Sequence, residues 1–355
     1  MNIEVKRDLW NYLKIADKPI LMYGMGNGAD KILNVCDGYG IEISDFFASD
    51  GFVRGHSFHG KVVLSYSQAK EKYGDFIVLL SFASSLPDVI GNIKRIADEV
   101  ELYAPDVPVF GSNLFNMEFF LAHKSEFEEA YALLGDERSR FVFENVINYK
   151  LSGDLKFLFI CDDEEDEVTN EFVDPQSIKK YVDLGAYNGD TIRLLMSKTN
   201  SLEEVIAFEP DRRNFRKLSE FAQGVERPNI KAYQLGAWSQ SDTLFFDASG
   251  NRNANLSTSG GKVVEVQVDA IDNVAFDLAP DYIKYDVEGS EYEALMGSRK
   301  IISEYSPRLL VSLYHRSEDM YKLPLLVNQL NPSYKLYLRK LRYIPAWDLN
   351  LYAKG

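Results

Sequence analysis

The sequence predicts an α/β protein made of two successive strand–helix units. Three observations predict it. Short apolar runs recur, among them 20–23, 76–82, 181–184 and 205–208, and each has the length of a buried strand. Segments with helical spacing separate them, such as Val89, Ile90, Ile93 and Ile96. Glycine-bearing turns follow two of the runs, at Gly24-Met25-Gly26 and at Gly185-Ala186-Tyr187-Asn188-Gly189. Strands alternating with helices imply a parallel sheet.

The elements follow in order. In residues 1–112 the run 20–23 enters the first glycine turn, and Ile32, Leu33 and Val35 continue at helical spacing. Residues 41–49, 61–64 and 76–82 read as strands, 87–102 as a helix and 107–110 as one more strand. Residues 113–178 read as a helical connector rich in Phe and Tyr, including Phe119, Phe127, Phe143 and Val146. Within it, Asp162-Asp163-Glu164-Glu165-Asp166-Glu167 reads as a solvated loop. Residues 179–355 form the second unit, with strands at 181–184, 205–208, 230–235, 282–286, 308–313, 334–338 and 347–353. Residues 243–246 and 262–268 alternate like antiparallel strands around the polar stretch 249–261, an expected lid.

Composition narrows the function. The 355 residues suit two domains with real cores. Lys and Arg number 39 against 54 Asp and Glu, a net charge of −15. Such a chain repels phosphate backbones, so neither nucleic acid nor an anionic membrane is expected as a partner. The polar N-terminus and the lack of a long apolar run suggest a cytoplasmic protein. Cys36 and Cys161 are the only cysteines, which excludes a Cys-rich zinc site and a disulfide framework. Both read as buried small apolar groups.

The richest segment is Asp183-Leu184-Gly185-Ala186-Tyr187-Asn188-Gly189-Asp190-Thr191. Gly185 would let the backbone approach a ligand, and Gly189 would turn the chain into a helix. The spacing is Gly-x-x-x-Gly, not the dinucleotide Gly-x-Gly-x-x-Gly. Asp183 is expected to face the loop, where it would repel a pyrophosphate and suit a ligand with a cationic part. S-adenosylmethionine (SAM), a sulfonium without phosphate, is such a ligand. Glu209, 26 residues after Asp183, ends the next strand, where an acid binds ribose hydroxyls. Asp211 reads as a helix N-cap. Trp238, after Gly236-Ala237, either stacks on adenine or fills the core. Ser290 and Glu293 read as a capping box. Lys284, Asp286 and Glu288 end the fourth strand of this unit, where a site should lie.

These segments resemble the FkbM-family SAM-dependent methyltransferases. The resemblance rests on 182–191, Phe208-Glu209-Pro210, Ala270-Ile271-Asp272, 283–291 and Val311-Ser312-Leu313-Tyr314-His315, and covers roughly residues 140–355. It implies a class I methyltransferase sheet, mostly parallel with an antiparallel last strand, and a SAM cofactor. It implies methyl transfer, usually to a hydroxyl of a sugar, polysaccharide precursor or related metabolite. The matching positions, with Gly236, Ala237 and Trp238 added because they follow the strand ending in Leu235, give Asp183, Gly185, Ala186, Tyr187, Asn188, Gly189, Asp190, Thr191, Glu209, Pro210, Gly236, Ala237, Trp238 and Asp286 as the expected cofactor site. Lys284, Asp286, Glu288 and His315 are the expected catalytic residues. Asp286, Glu288 and His315 are the available bases; alternatively Asp286 and Glu288 only hold the loop and SAM's polar end. No metal is expected, although the same three residues suit a divalent ion.

The first unit lies outside this resemblance. It looks like the small Rossmann-type domains attached to sugar-modifying enzymes. Its Gly24-x-Gly26-x-x-Ala29, with Asp50 beyond the next strand, fits a dinucleotide fingerprint. This leaves open an NAD-linked or nucleotide-sugar enzyme acting there, a non-catalytic binding protein, or a scaffold that helps a homodimer or a small-molecule or glycan acceptor bind.

Overall fold

Apolar runs fold here as short parallel strands, and the two glycine turns singled out above follow the strands at 20–23 and 180–184. The structure is a computed structural model and describes residues 1–52, 55–247 and 263–355. The first unit holds β1 (Ile20–Tyr23), β2 (Asp45–Ala48), a hairpin of β3 (Ser57–Phe58) and β4 (Lys61–Val62), β5 (Leu64–Ser65), β6 (Ile77–Leu80) and β7 (Glu101–Tyr103). Its main sheet runs β5-β2-β1-β6-β7 with every pair parallel. Strands β1, β2 and β6 are buried at every position, as a sheet covered on both faces requires.

The strand expected at 107–110 does not form. Pro105 and Pro108 remove backbone donors there. The segment crosses instead as a strap, and the Phe110 N–H donates to the His315 carbonyl at 3.0 Å. The connector is helical, as expected, at Met117–Ala122, Lys124–Ala132, Glu137–Ser152 and Lys156–Phe159. Asp136 caps the longest of these, accepting from the Ser139 N–H, and Gly153 ends it at φ 67°. The acidic run is no simple solvated loop. Asp163 pairs with Arg138 at 2.8 Å and Asp162 with Lys340 at 2.5 Å, because cations from two neighbouring elements reach it. Residues Glu165–Val168 add a helical turn.

The second unit contributes β8 (Lys180–Leu184), β9 (Glu204–Phe208), β10 (Asn229–Tyr233), β11 (Gly236–Trp238), β12 (Asp242–Asp247), β13 (Val263–Ala270), β14 (Tyr282–Tyr285), β15 (Arg308–Ser312), β16 (Lys335–Lys340) and β17 (Leu349–Lys354). Seven of them form one sheet in the order β10-β9-β8-β14-β15-β17-β16. It is parallel from β10 to β15, and β17 then enters antiparallel. A side sheet, β11-β13-β12, stands next to it. The stretch 249–261, expected to be a lid, lies outside the described residues.

This sheet grows outward in both directions from β8 and β14, so their carboxyl ends flank the switch point where ligands bind in such folds. One apolar core joins the two units. It contains Leu21 and Val78 from the first sheet, Phe127 and Val146 from the connector, and Val182 and Val311 from the second. Cys36 and Cys161 are buried and free, and burial pushes both thiols up to about 12. Among the described residues no helix is long and apolar enough to cross a membrane.

Candidate active site

The loop after β8 packs against its neighbours at backbone distance. Gly185 sits at φ 79°, and a Cβ there would lie 1.9 Å from the Asp286 carbonyl oxygen. Its glycine is thus demanded by the adjoining loop as well as by the cavity it lines. Gly189, at φ 87°, precedes the helix Asp190–Lys198 and would otherwise strike the Phe221 ring. The Gly185 and Ala186 N–H groups both donate to the Phe208 carbonyl. Ala186 is buried and Tyr187 exposed. The Asn188 carbonyl accepts from Arg193, and Asp190 accepts from the Thr191 N–H.

Asp183 departs from its expected place. It is buried and lies away from the cavity, where its carboxylate accepts from the Thr191 hydroxyl and faces Lys284 Nζ at 3.5 Å. Its position inside β8 turns it under the loop rather than toward a ligand. Lys284 also stands 3.5 Å from Asp286. Burial disfavours the ammonium, but these two carboxylates outweigh it and raise its pKa. The pair Asp183–Lys284 is a buried strut beneath the site.

Glu209 is the acid that faces the cavity. It is largely buried, and its oxygens accept the N–H groups of Tyr187 (2.9 Å) and Asp211 (2.8 Å). Burial is the largest influence on it and raises its carboxyl to about 7 despite those two bonds. Asp211 caps the helix Arg212–Gln223, as expected. Around Glu209 opens a cavity of about 700 Å³, a volume typical of ligand sites. Pro210, Gly236, Ala237 and Trp238 line one side of it, with Leu244 and Val266 from the side sheet. Trp238 is half-buried against this space and so belongs to its wall, not to the deep core. Asp286, Val287, Glu288 and Ser290 close the other side, with Phe110 from the strap.

The capping box at Ser290 and Glu293 does not form. The Ser290 side chain makes no cap bond, since its backbone lies at φ −108°, ψ 11°, outside the extended cap geometry. Glu291 reaches back instead, accepting from the Val287 N–H at 2.8 Å. It also faces His315 Nδ1 at 2.9 Å. Burial opposes the imidazolium, yet Glu291, Asp286 and Glu288 together raise His315 to about 9. Asp286 falls below its ordinary value: burial raises it, but Lys284 and His315 prevail. The Tyr314 hydroxyl donates to Asp286 at 3.0 Å. All four expected catalytic residues therefore meet at one sheet edge. Glu291 and Phe110 are among the site residues to which sequence reasoning gave no role, as are Tyr314 and the cavity-lining Leu244 and Val266.

Residues 183–344 match the family model of the methyltransferase FkbM domain. This part of the chain is similar to the methyltransferase FkbM domain. The methyltransferase FkbM from Methylobacillus flagellatus KT is similar over 95% of this chain and 90% of its own, at 22% identity and a TM-score of 0.72. Two more distant structures match about half of this chain. An rRNA methylase from Streptococcus thermophilus shows 15% identity over 54% of this chain and 92% of its own, at a TM-score of 0.33. Fibrillarin from Aeropyrum pernix, solved with natively bound S-adenosyl-L-methionine, shows 14% identity over 51% and 68%, at 0.33. No curated protein matches the sequence.

The first unit reaches into the candidate site. Lys31 donates to the carbonyls of Val109 (2.8 Å) and Pro108 (3.3 Å), and the Ser317 hydroxyl donates to the Asn113 carbonyl at 2.5 Å. These bonds hold the strap so that the Phe110 ring meets His315 edge-on, with centroids 6.0 Å apart. Two glycines of the dinucleotide-like segment are required by packing, whereas a Cβ on Gly26 would meet open space. A Cβ on Gly24 would strike Phe82 and Ser81, and one on Gly28 would lie 2.2 Å from the Ser81 carbonyl oxygen. Asp50 accepts from the N–H and the hydroxyl of Ser67.

Proposed function

We propose that this FkbM-like domain transfers the methyl group of SAM to a hydroxyl oxygen of a sugar, a polysaccharide precursor or a related small acceptor. One observation carries the reading. A single cavity runs from a buried carboxylate, Glu209, with an apolar and aromatic wall beside it, to the polar edge at Asp286. A purine fits such a wall and a ribose diol fits the carboxylate, and Glu209 disfavours a pyrophosphate at this place. The residues present therefore suit SAM, with Glu209 for the ribose, Trp238, Leu244 and Val266 for the base, and Asp286 toward the amino-acid end.

Bound SAM would supply an activated methyl on a positive sulfur. The protein's part is then alignment and exclusion of water. Gly185 lets the two loops close on each other beneath the cavity. Lys284 keeps Asp286 ionised and in place. The edge formed by Asp286, Glu288 and His315 receives the acceptor, and its carboxylates take the hydroxyl proton. Acceptor, methylated atom and sugar chemistry are tested together by an assay with radiolabelled methyl SAM against cell extracts and nucleotide-sugar pools. Label in a polar, hydroxyl-rich product supports the reading. Label only in nucleic acid or protein would overturn the choice of acceptor.

A further inference from the structure

His315 faces both Asp286 and Glu288 without a hydrogen bond to either, and one oxygen each of Asp286 and Glu291 lies with a His315 ring nitrogen in a group whose atoms are all within 4.8 Å of one another. His315 is 1% exposed. Its Nε2 lies 3.7 Å from Asp286 Oδ1 and 3.6 Å from Glu288 Oε2, too far for a hydrogen bond to either. Charged N–H···O pairs normally close to about 2.7–2.9 Å. These have not closed. Ligands held at about 2.1 Å around one cation lie about 3.0–3.4 Å apart, much nearer to the observed spacing.

The surroundings match those of bound ions. A metal-bound histidine gives its other ring N–H to a carboxylate, and ligating carboxylates accept outer hydrogen bonds. Glu291, itself 1% exposed, stands 2.9 Å from Nδ1, and both that ring nitrogen and Glu291 Oε2 are buried without a hydrogen-bond partner. Tyr314 donates to Asp286. Charge points the same way. The carboxylates of Asp286, Glu288, Glu291 and the buried Asp319 share this corner. Among the described residues, the side-chain ion pairs they make go only to Lys284 and to the ring of His315.

We propose that a first-row divalent cation binds between His315 Nε2, Asp286 and Glu288, with Glu291 fixing the ring from behind. Nitrogen and carboxylate donors together suit Mn²⁺, Fe²⁺ or Zn²⁺. The site stands on this geometry alone; its task rests on the methyl-transfer reading. The acceptor hydroxyl takes an open position on the ion and loses its proton to water on the exposed Glu288 side. The oxygen–carbon bond then forms as the sulfur–carbon bond breaks, and the electron pair stays on sulfur.

The test uses the full chain, stripped with chelator and titrated with MnCl₂, with free Mn²⁺ read by electron paramagnetic resonance. One Mn²⁺ per chain is expected. Glu288→Gln, at an exposed position, and His315→Ala should each weaken it at least tenfold, and Glu291→Gln by roughly 10–100-fold. No saturable Mn²⁺ binding, or binding that survives both His315→Ala and Glu288→Gln, overturns the proposal. A separate SAM titration keeps the two readings apart. A chain that binds SAM but not Mn²⁺ loses only the ion; one that binds Mn²⁺ but not SAM keeps the ion and loses the methyl-transfer reading.

Discussion

Glu209 ties two loops together and faces the cavity, so its removal has separable consequences. Glu209→Ala should weaken SAM binding by roughly 10–100-fold, since hydrogen bonds to a charged group contribute about 1.5–3 kcal/mol. Isothermal titration measures it, and an unchanged affinity would place the ribose elsewhere. The pH dependence has a definite sign. Burial raises Glu209 from its ordinary 4.5 to about 7 in the free protein. Ribose hydroxyls donate to the ionised form, so binding must release the proton below that value. SAM affinity should therefore climb as pH rises toward 7 and level off above it; a flat profile from pH 5.5 to 8 counts against the assignment. Glu209 was legible in the sequence because a strand-end acid downstream of a glycine loop has one frequent use. Asp183 was legible as a site residue but not as a buried one. Only the pairing of β8 with β14 brings Lys284 beneath it, and that contact spans 101 residues.

The two loops after β8 and β14 behave as one element. Gly185→Ala brings a Cβ against the Asp286 carbonyl and forces a left-handed alanine, which alone costs about 1–2 kcal/mol. The clash adds to this, so denaturant unfolding should show a loss larger than that, with SAM affinity falling alongside. Full stability in Gly185→Ala would mean the loops are not packed in this way. The strap at 107–113 depends on Lys31. Lys31→Met should speed hydrogen exchange at the Phe110 amide while β14 keeps its protection. Equal protection in both proteins would contradict that role. Most strands, the helices and both glycine turns followed from period and punctuation, but β7 (Glu101–Tyr103) overlaps the end of the stretch read as a helix and no strand forms at 107–110. The strap did not follow, because the carbonyl that Phe110 meets lies 205 residues away in sequence, and local pattern carries no trace of it.

At the scale of the molecule, the continuous core predicts that the two units unfold together. Trp10 reports on the first unit, and Trp238 and Trp347 on the second. Urea transitions followed in Trp10→Phe and in a Trp238→Phe/Trp347→Phe double variant should coincide in midpoint, once each is corrected for its own stability loss. Two separated transitions would make the units independent. Fold class and the order of elements were readable from alternation alone. The sharing of one core was not, since apolar positions show that a face is buried without showing against what.

The central claim concerns the ligand in the cavity between Glu209 and Asp286. Its most direct test is a titration of the purified chain with SAM and, separately, with NAD, repeated in Glu209→Ala. The structure predicts saturable SAM binding, competition by the demethylated thioether, and marked weakening in the variant. NAD binding that Glu209→Ala abolishes, with no SAM binding at all, would contradict it.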